Sequence, residues 1–189
     1  IDIDILKAIS KPIYPEIQFL EIIQDKYCQK VYLSNNNIDT VIDKIISEKL
    51  DIRKYYIEDF IDFQREISIC GCKDMNNEIK MFEPVINTHK DSILIKTEYL
   101  NKSDNSDDLN KYDYKKAVKE MFIKLLKLFD TKGNICVEFF EYNNDIYINE
   151  IALRVHNSYH ISLDCCNISQ FDMHLNSILD LYIPNPIFI

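Results

Sequence analysis

The chain has 189 residues, a formal charge of -9 at pH 7 and 47% hydrophobic residues, enough for one substantial core, and it reads as one domain. No apolar run approaches the roughly 20 residues that cross a bilayer, and the start Ile1-Asp2-Ile3-Asp4 lacks the basic-then-apolar order of a secretory signal, so no membrane association is expected. The acidic balance excludes a broad nucleic-acid surface, which needs a basic stripe, so any phosphate must be bound locally, by a cation or a few Lys and Arg side chains.

In chain order, residues 15–33 carry Ile17, Leu20, Ile23, Tyr27 and Val31 at helical spacing, with Pro15 at a tolerated first-turn position. Asn35-Asn36-Asn37 reads as a loop, and residues 38–50 as a second amphipathic helix capped by Asn37. A β-rich stretch follows over residues 56–61, 65–72, 78–86 and 93–100, broken by polar turns such as 74–77. Residues 101–111 are polar enough for a mobile excursion. A long helix over 113–129, its stripe running through Ala117, Met121, Leu125 and Leu128, ends near Gly133. Strands over 135–142 and 146–151 then form a hairpin, followed by a loop over 154–160 and a helix over 169–181 stopped by Pro184 and Pro186. The class is α+β or α/β on a mostly antiparallel sheet. Gly71 and Gly133 are the chain's two glycines, few for an enzyme that must wrap phosphates. The six cysteines, Cys28, Cys70, Cys72, Cys136, Cys165 and Cys166, lack the paired spacing of a zinc site and read as reduced thiols.

The hairpin concentrates the chemistry. If Asn143-Asn144-Asp145 is a three-residue loop, Glu138 faces Glu150 across the strands; a two-residue loop would place Asn149 there instead. Opposed like charges destabilise a sheet unless something neutralises them, and a divalent cation on oxygen ligands does so, with Asn149 able to add a carbonyl oxygen. Spacing alone leaves open a solvated hairpin with acidic positions on its open side. Downstream, Arg154 offers a planar fork for a phosphate or carboxylate, and His156 can donate or accept near neutral pH. His156 and His160 share the four-residue spacing of many zinc ligands but lack a matching cysteine pair; His174, on an amphipathic helix, reads as structural.

Residues 149–160, read with Cys165-Cys166-Asn167-Ile168-Ser169-Gln170-Phe171-Asp172-Met173-His174-Leu175, resemble the signature of the 5-(carboxyamino)imidazole ribonucleotide synthetases, ATP-grasp enzymes of purine biosynthesis. The resemblance continues in Ile22-Ile23-Gln24-Asp25-Lys26 with Gln29-Lys30, in Ile57-Glu58-Asp59-Phe60-Ile61 with Arg65-Glu66-Ile67-Ser68, and in Glu83-Pro84-Val85-Ile86-Asn87-Thr88-His89. These blocks keep the family's order and cover most of the chain. The resemblance implies an ATP-grasp core of mostly antiparallel sheet flanked by helices. Residues 1–37 would lead in from an amino-terminal domain, and 38–189 would form the carboxy-side core. It implies ATP and Mg2+, with Glu138, Glu150 and Asn149 at the metal. Lys26, Glu58, Asp59, Phe60, Ile61, Glu66, His89, Asn149 and Glu150 would hold the nucleotide, Glu58–61 as the adenine hinge and Glu66 as acceptor for the ribose hydroxyls. Arg154, His156, Asn157 and Ser158 would receive aminoimidazole ribonucleotide and the carboxyl group derived from bicarbonate, with Arg154 and His156 catalytic. A cytoplasmic homodimer, fused to or partnered by a mutase, completes the expectation.

The chain also departs from that pattern. It passes from Leu33 to Ile38 through a few Ser and Asn residues where the family carries a glycine-rich lid, so it is expected to catalyse poorly alone. Leu153 stands for a usual proline, Ser92 for a glycine after His89, and Tyr159 for a glycine beside the substrate loop, where it is expected to narrow the nucleotide pocket. Another ATP-grasp ligase, or a non-catalytic dimerisation module, remain the alternatives.

Overall fold

The computed structural model describes residues 2–38, 40, 60–99 and 113–189. Six strands, β1 (Arg65–Lys73), β2 (Ile79–Met81), β3 (Val85–Lys90), β4 (Ile93–Glu98), β5 (Ile135–Tyr142) and β6 (Asp145–Ala152), form one sheet in the order β4-β3-β1-β5-β6, with β2 paired to β1. The pairings between these strands are all antiparallel. The helices are α1 (Ile3–Lys7), α2 (Ile17–Ile23), α3 (Lys26–Asn35), α4 (Tyr114–Leu128), α5 (Ser162–Cys165) and α6 (Gln170–Ile178). The expected α+β architecture on a mostly antiparallel sheet is what forms.

Strand alternation divides the sheet into two faces. Ile67, Ile69, Val137, Phe139 and Ile151 join one core with Val118, Phe122, Leu125 and Leu126 of α4, Phe19 of α2 and Leu33 of α3. On the opposite face Cys70, Cys72 and Cys136 join Phe82, Val85, Tyr159 and Met173 in a second core, their thiols free and buried. That second core fills only part of its face. Glu66, Ser68 and Glu138, which continue the same alternation, are left to line what remains.

Several expected elements shift. The helix read over 15–33 is two helices, because Asp25 caps a new start by accepting the Cys28 N–H at 3.0 Å. Asn37 takes a left-handed φ of 55° and closes α3, with the Ile38 N–H reaching the Leu33 carbonyl, so it terminates the preceding helix. Thr40 forms a parallel bridge to Ile148, so the helix read over 38–50 does not begin at Ile38; its remainder, the excursion at 101–111 and most of the strand at 56–61 lie outside the described residues. The strand read over 78–86 divides into β2 and the start of β3. The buried stripe of α4 centres on Val118 and Phe122, with Ala117, Met121 and Leu128 at its margin.

The hairpin is the informative difference. Tyr142 pairs with Asp145, so the loop is Asn143-Asn144, both at left-handed φ, as a tight hairpin turn requires. Such a loop alone would set Asn149 against Glu138. A bulge intervenes: Phe139 pairs with Ile148 and Glu138 with Glu150, leaving Asn149 as the extra residue. Ile146, Ile148 and Ile151 thereby all face one core.

The outer edge of β6 is covered by side chains of α3. Gln29 donates from Nε2 to the Ile151 carbonyl at 3.0 Å and accepts the Ile151 N–H at 2.9 Å, as a neighbouring strand would. The buried Lys30 ammonium donates to the Ile148 carbonyl at 3.1 Å. Gln29→Ala strips both partners from a buried peptide unit and is expected to lower the unfolding free energy by about 1–3 kcal/mol, read from urea denaturation. An unchanged midpoint would show that this edge needs no cover.

Candidate active site

The polar residues of the second face open on a cleft of about 830 Å³ between the β3–β4 hairpin and residues 156–161. Ser68 pairs across with Glu138, Glu138 with Glu150, and Glu66 with Asn87, so three neighbouring strand pairs bring these side chains onto one surface. The Asn87 amide donates to Ser68 Oγ at 2.6 Å, and Glu66 Oε2 lies 2.7 Å from His89 Nδ1. Glu138 is buried to about nine-tenths and its carboxyl is pushed up to about 7, chiefly by burial and then by the charges of Glu66 and Glu150. Burial likewise raises the Glu66 carboxyl, opposed by His89. Across the cleft mouth Lys26 Nζ meets Glu150 Oε2 at 3.1 Å. Acids are thus collected where water is scarce and basic groups stand at the border.

The far wall is the segment after β6. Buried Gln170, the first residue of α6, accepts the His156 N–H at 2.9 Å and donates from Nε2 to the His156 carbonyl at 2.8 Å, clamping that backbone. The His156 ring lies with Nδ1 3.0 Å from Ser158 Oγ and 3.7 Å from Glu138 Oε1. Burial, then Arg154, holds its pKa below the usual histidine value, so the ring is neutral at pH 7. A neutral imidazole beside a carboxyl group can accept or pass a proton.

Residues 25–171 match the ATP-grasp domain, which is more than half of the chain. The chain belongs to the ATP-grasp family. It is 34% identical over 131 residues to the N5-carboxyaminoimidazole ribonucleotide synthase of Staphylococcus aureus (strain COL), a match covering 69% of this chain and 33% of that protein. It is 31% identical over 185 residues to the synthase of the same name from Staphylococcus epidermidis (strain ATCC 35984), covering 97% and 46%. The solved Staphylococcus aureus N5-carboxyaminoimidazole synthetase complexed with ADP superposes with a TM-score of 0.75 at 25% identity, over 91% of this chain and 56% of that one. The chain therefore spans from a third to somewhat over half the length of these relatives. The resemblance read from residues 149–160 is to the same synthetases.

Within this ATP-grasp core the expected site residues separate into groups. Glu66, His89, Glu138, Glu150 and His156 converge on one face, and Asn157 lines the cleft with them. Ser158 is fully buried and bonded to His156, which suits it to orient that ring. Arg154 is exposed, its guanidinium on the Val155 carbonyl at 2.8 Å, outside the cleft lining. Asn149 is the bulge residue rather than the partner of Glu138. Phe60 is 90% exposed and Ile61 half-buried; Glu58 and Asp59 lie outside the described residues. Tyr159 does not narrow the pocket. Residues 157–159 form a single 3-10 turn that sends the phenol into the second core, its hydroxyl 3.0 Å from the Ser68 carbonyl and 2.9 Å from that of Glu83.

Two residues near these groups are given no role by the sequence reading. Phe63 stacks on Phe140 with ring centroids 4.4 Å apart, and Phe140 pairs with Glu66 across the strands. Gln170 lies in the resemblance block at 165–175 with no role assigned to it there, and its position immediately after the capping Ser169 hints at an inward first turn.

The Glu138 carboxyl gives a pH test. Unfolded, it releases its proton near 4.5; folded, it keeps it to about 7, so between those values the folded chain binds more protons and stability falls as pH rises. Its contribution is whole below about pH 4.5 and lost as pH climbs through about 7. Glu138→Gln removes the titration. The variant is expected to exceed the parent in unfolding free energy by up to about 3 kcal/mol above roughly pH 8, a gap that closes toward pH 4.5 in urea denaturation at matched pH.

Proposed function

We propose that this chain carries the nucleotide and metal face of an ATP-dependent carboxylation of 5-aminoimidazole ribonucleotide in purine biosynthesis. One observation carries the reading: the bulged β5–β6 ladder sets Glu138 against Glu150 on the cleft, and among the described residues no hydrogen bond reaches the buried Glu138 carboxylate. Two carboxylates held together against their repulsion fit a hard divalent cation. Glu138 and Glu150 would hold Mg2+, which supplies charge neutralisation to a transferring phosphoryl group. Asn149, at the bulge between them, remains its third proposed oxygen ligand.

In the reaction, a bicarbonate oxygen attacks the terminal phosphorus of ATP and ADP leaves, giving carboxyphosphate. The exocyclic amine of the ribonucleotide then attacks the carboxyl carbon, phosphate departs, and the carbamate forms. Such transfer depends on positioning and electrostatic stabilisation more than on covalent help. His156, neutral and clamped by Gln170, would accept the amine proton. Asn157 would orient the ribonucleotide and Arg154 would swing inward to its phosphate. Glu66 would accept the ribose hydroxyls, with Lys26 and His89 on the phosphates and Glu58, Asp59, Phe60 and Ile61 along the adenine. The Phe63–Phe140 stack lies beside Glu66 and suits a flat base. Cytoplasmic setting, homodimer and mutase association belong to the same proposal and rest on the family resemblance.

Both glycines are elsewhere, Gly71 inside β1 against Lys80 and Met81 and Gly133 in the turn before β5, so no glycine-rich clamp on the terminal phosphates belongs to these 189 residues. This chain is therefore expected to bind nucleotide and turn it over slowly. Calorimetry should show ADP binding that requires Mg2+ and that weakens by about tenfold or more in Glu150→Gln and in Glu66→Ala. Binding of equal strength in chelator, unmoved by both substitutions, would overturn the assignment.

A further inference from the structure

Glu66, His89 and Glu138 come from three neighbouring strands, β1, β3 and β5, and one ligand atom from each lies within 4.8 Å of the others. They share Glu138 with the Glu138–Glu150 pair assigned to Mg2+, and they differ from it in kind by including an imidazole. Two further observations mark the place as a site for a ligand. The Glu138 side chain is about nine-tenths buried and faces this cluster, yet among the described residues its carboxylate accepts no hydrogen bond, the nearest basic atom being Nδ1 of His156 at 3.7 Å. That histidine already bonds Ser158 Oγ. The cluster also opens on the cleft through His89 and Glu138, which leaves room for water to complete a coordination shell.

We propose that Glu66, His89 and Glu138 form a binding site for a divalent transition-metal cation in the nucleotide-free chain. A cation there replaces the direct 2.7 Å contact between Glu66 Oε2 and His89 Nδ1, and draws the Glu138 carboxylate toward both. One imidazole and two carboxylates suit a cation of the Mn2+, Co2+ or Zn2+ class better than Mg2+, which takes carboxylate and water oxygens and resists dehydration. The ligands stand on paired strands, so the arrangement is held in advance. Occupancy engages Glu66 and Glu138 together, and on the proposed reading of the nucleotide site it is incompatible with a bound nucleotide. The cation site itself does not depend on that reading.

The test uses Mn2+ alone, with no nucleotide, because Mn2+ favours oxygen and imidazole over the chain's free thiols. Electron paramagnetic resonance on the chelator-treated chain should show one Mn2+ bound per chain, with nitrogen modulation from a coordinated imidazole and a raised melting temperature. His89→Gln should abolish the nitrogen modulation, and His89→Gln and Glu66→Gln should each weaken binding by at least about 10-fold, the scale on which even outer-shell partners act. Circular dichroism confirms that each variant is folded, and the two substitutions on different strands guard against failure of either. Mn2+ that stays free, or binding untouched by His89→Gln, overturns the proposal. Binding lost in Glu150→Gln but kept in His89→Gln also overturns it and returns the ion to the Glu138–Glu150 pair.

Discussion

One inserted residue decides the face of this molecule on which everything chemical stands. Side chains alternate along a strand, so a two-residue turn at Asn143-Asn144 dictates which residues of β6 can meet β5. Without Asn149 as a bulge, Glu150 would point into the apolar core beside Ile148, and the ladder would have to bury a lone carboxylate against α4. With it, Ile146, Ile148 and Ile151 all reach that core while Glu150 joins Glu138 on the cleft. The bulge thus resolves a conflict between packing and chemistry within one strand, and the two acids are brought together because the isoleucines are satisfied first.

Amides then fix what the bulge arranges. Gln29 serves the edge of β6 as a strand would, and Gln170 holds both polar groups of the His156 backbone. Each is a side chain taking the part of a backbone, which lets a helix end or a helix face meet irregular chain without leaving peptide groups unpaired. Ser162 extends the second network, donating to the Tyr159 carbonyl at 2.6 Å while accepting the Gln170 N–H at 2.9 Å. Residues 156–161 are consequently held from behind, by α6 and by the buried Tyr159, with their other side on the cleft.

How much of this was legible follows from the range of each signal. Strands β1, β5 and β6 and helix α4 announced themselves through β-branched runs and helical spacing, which are local. The break of α2 from α3 was written in Asp25, a capping residue amid an otherwise continuous apolar stripe. The bulge was written too: Ile146 and Ile148 alternate and Ile151 then falls three positions on, a change of phase within one strand. Acids and histidines of the cleft were found by residue type and resemblance. The closeness of Glu66 to Glu138 was not, because it depends on β1 lying beside β5, a pairing between segments some seventy positions apart that no local pattern encodes. Tyr159 was misjudged for a related reason, since a 3-10 turn reverses which side a residue presents.

The charge state of the cleft ties these features together. Glu66, Glu138 and Glu150 share a face on which burial raises the carboxyls of Glu66 and Glu138, and the chain answers with one histidine beside Glu66 and one lysine beside Glu150. That arrangement stores electrostatic strain at the cleft. The cost falls on the folded chain, whose cores of α4 and the thiol-rich opposite face must outweigh it.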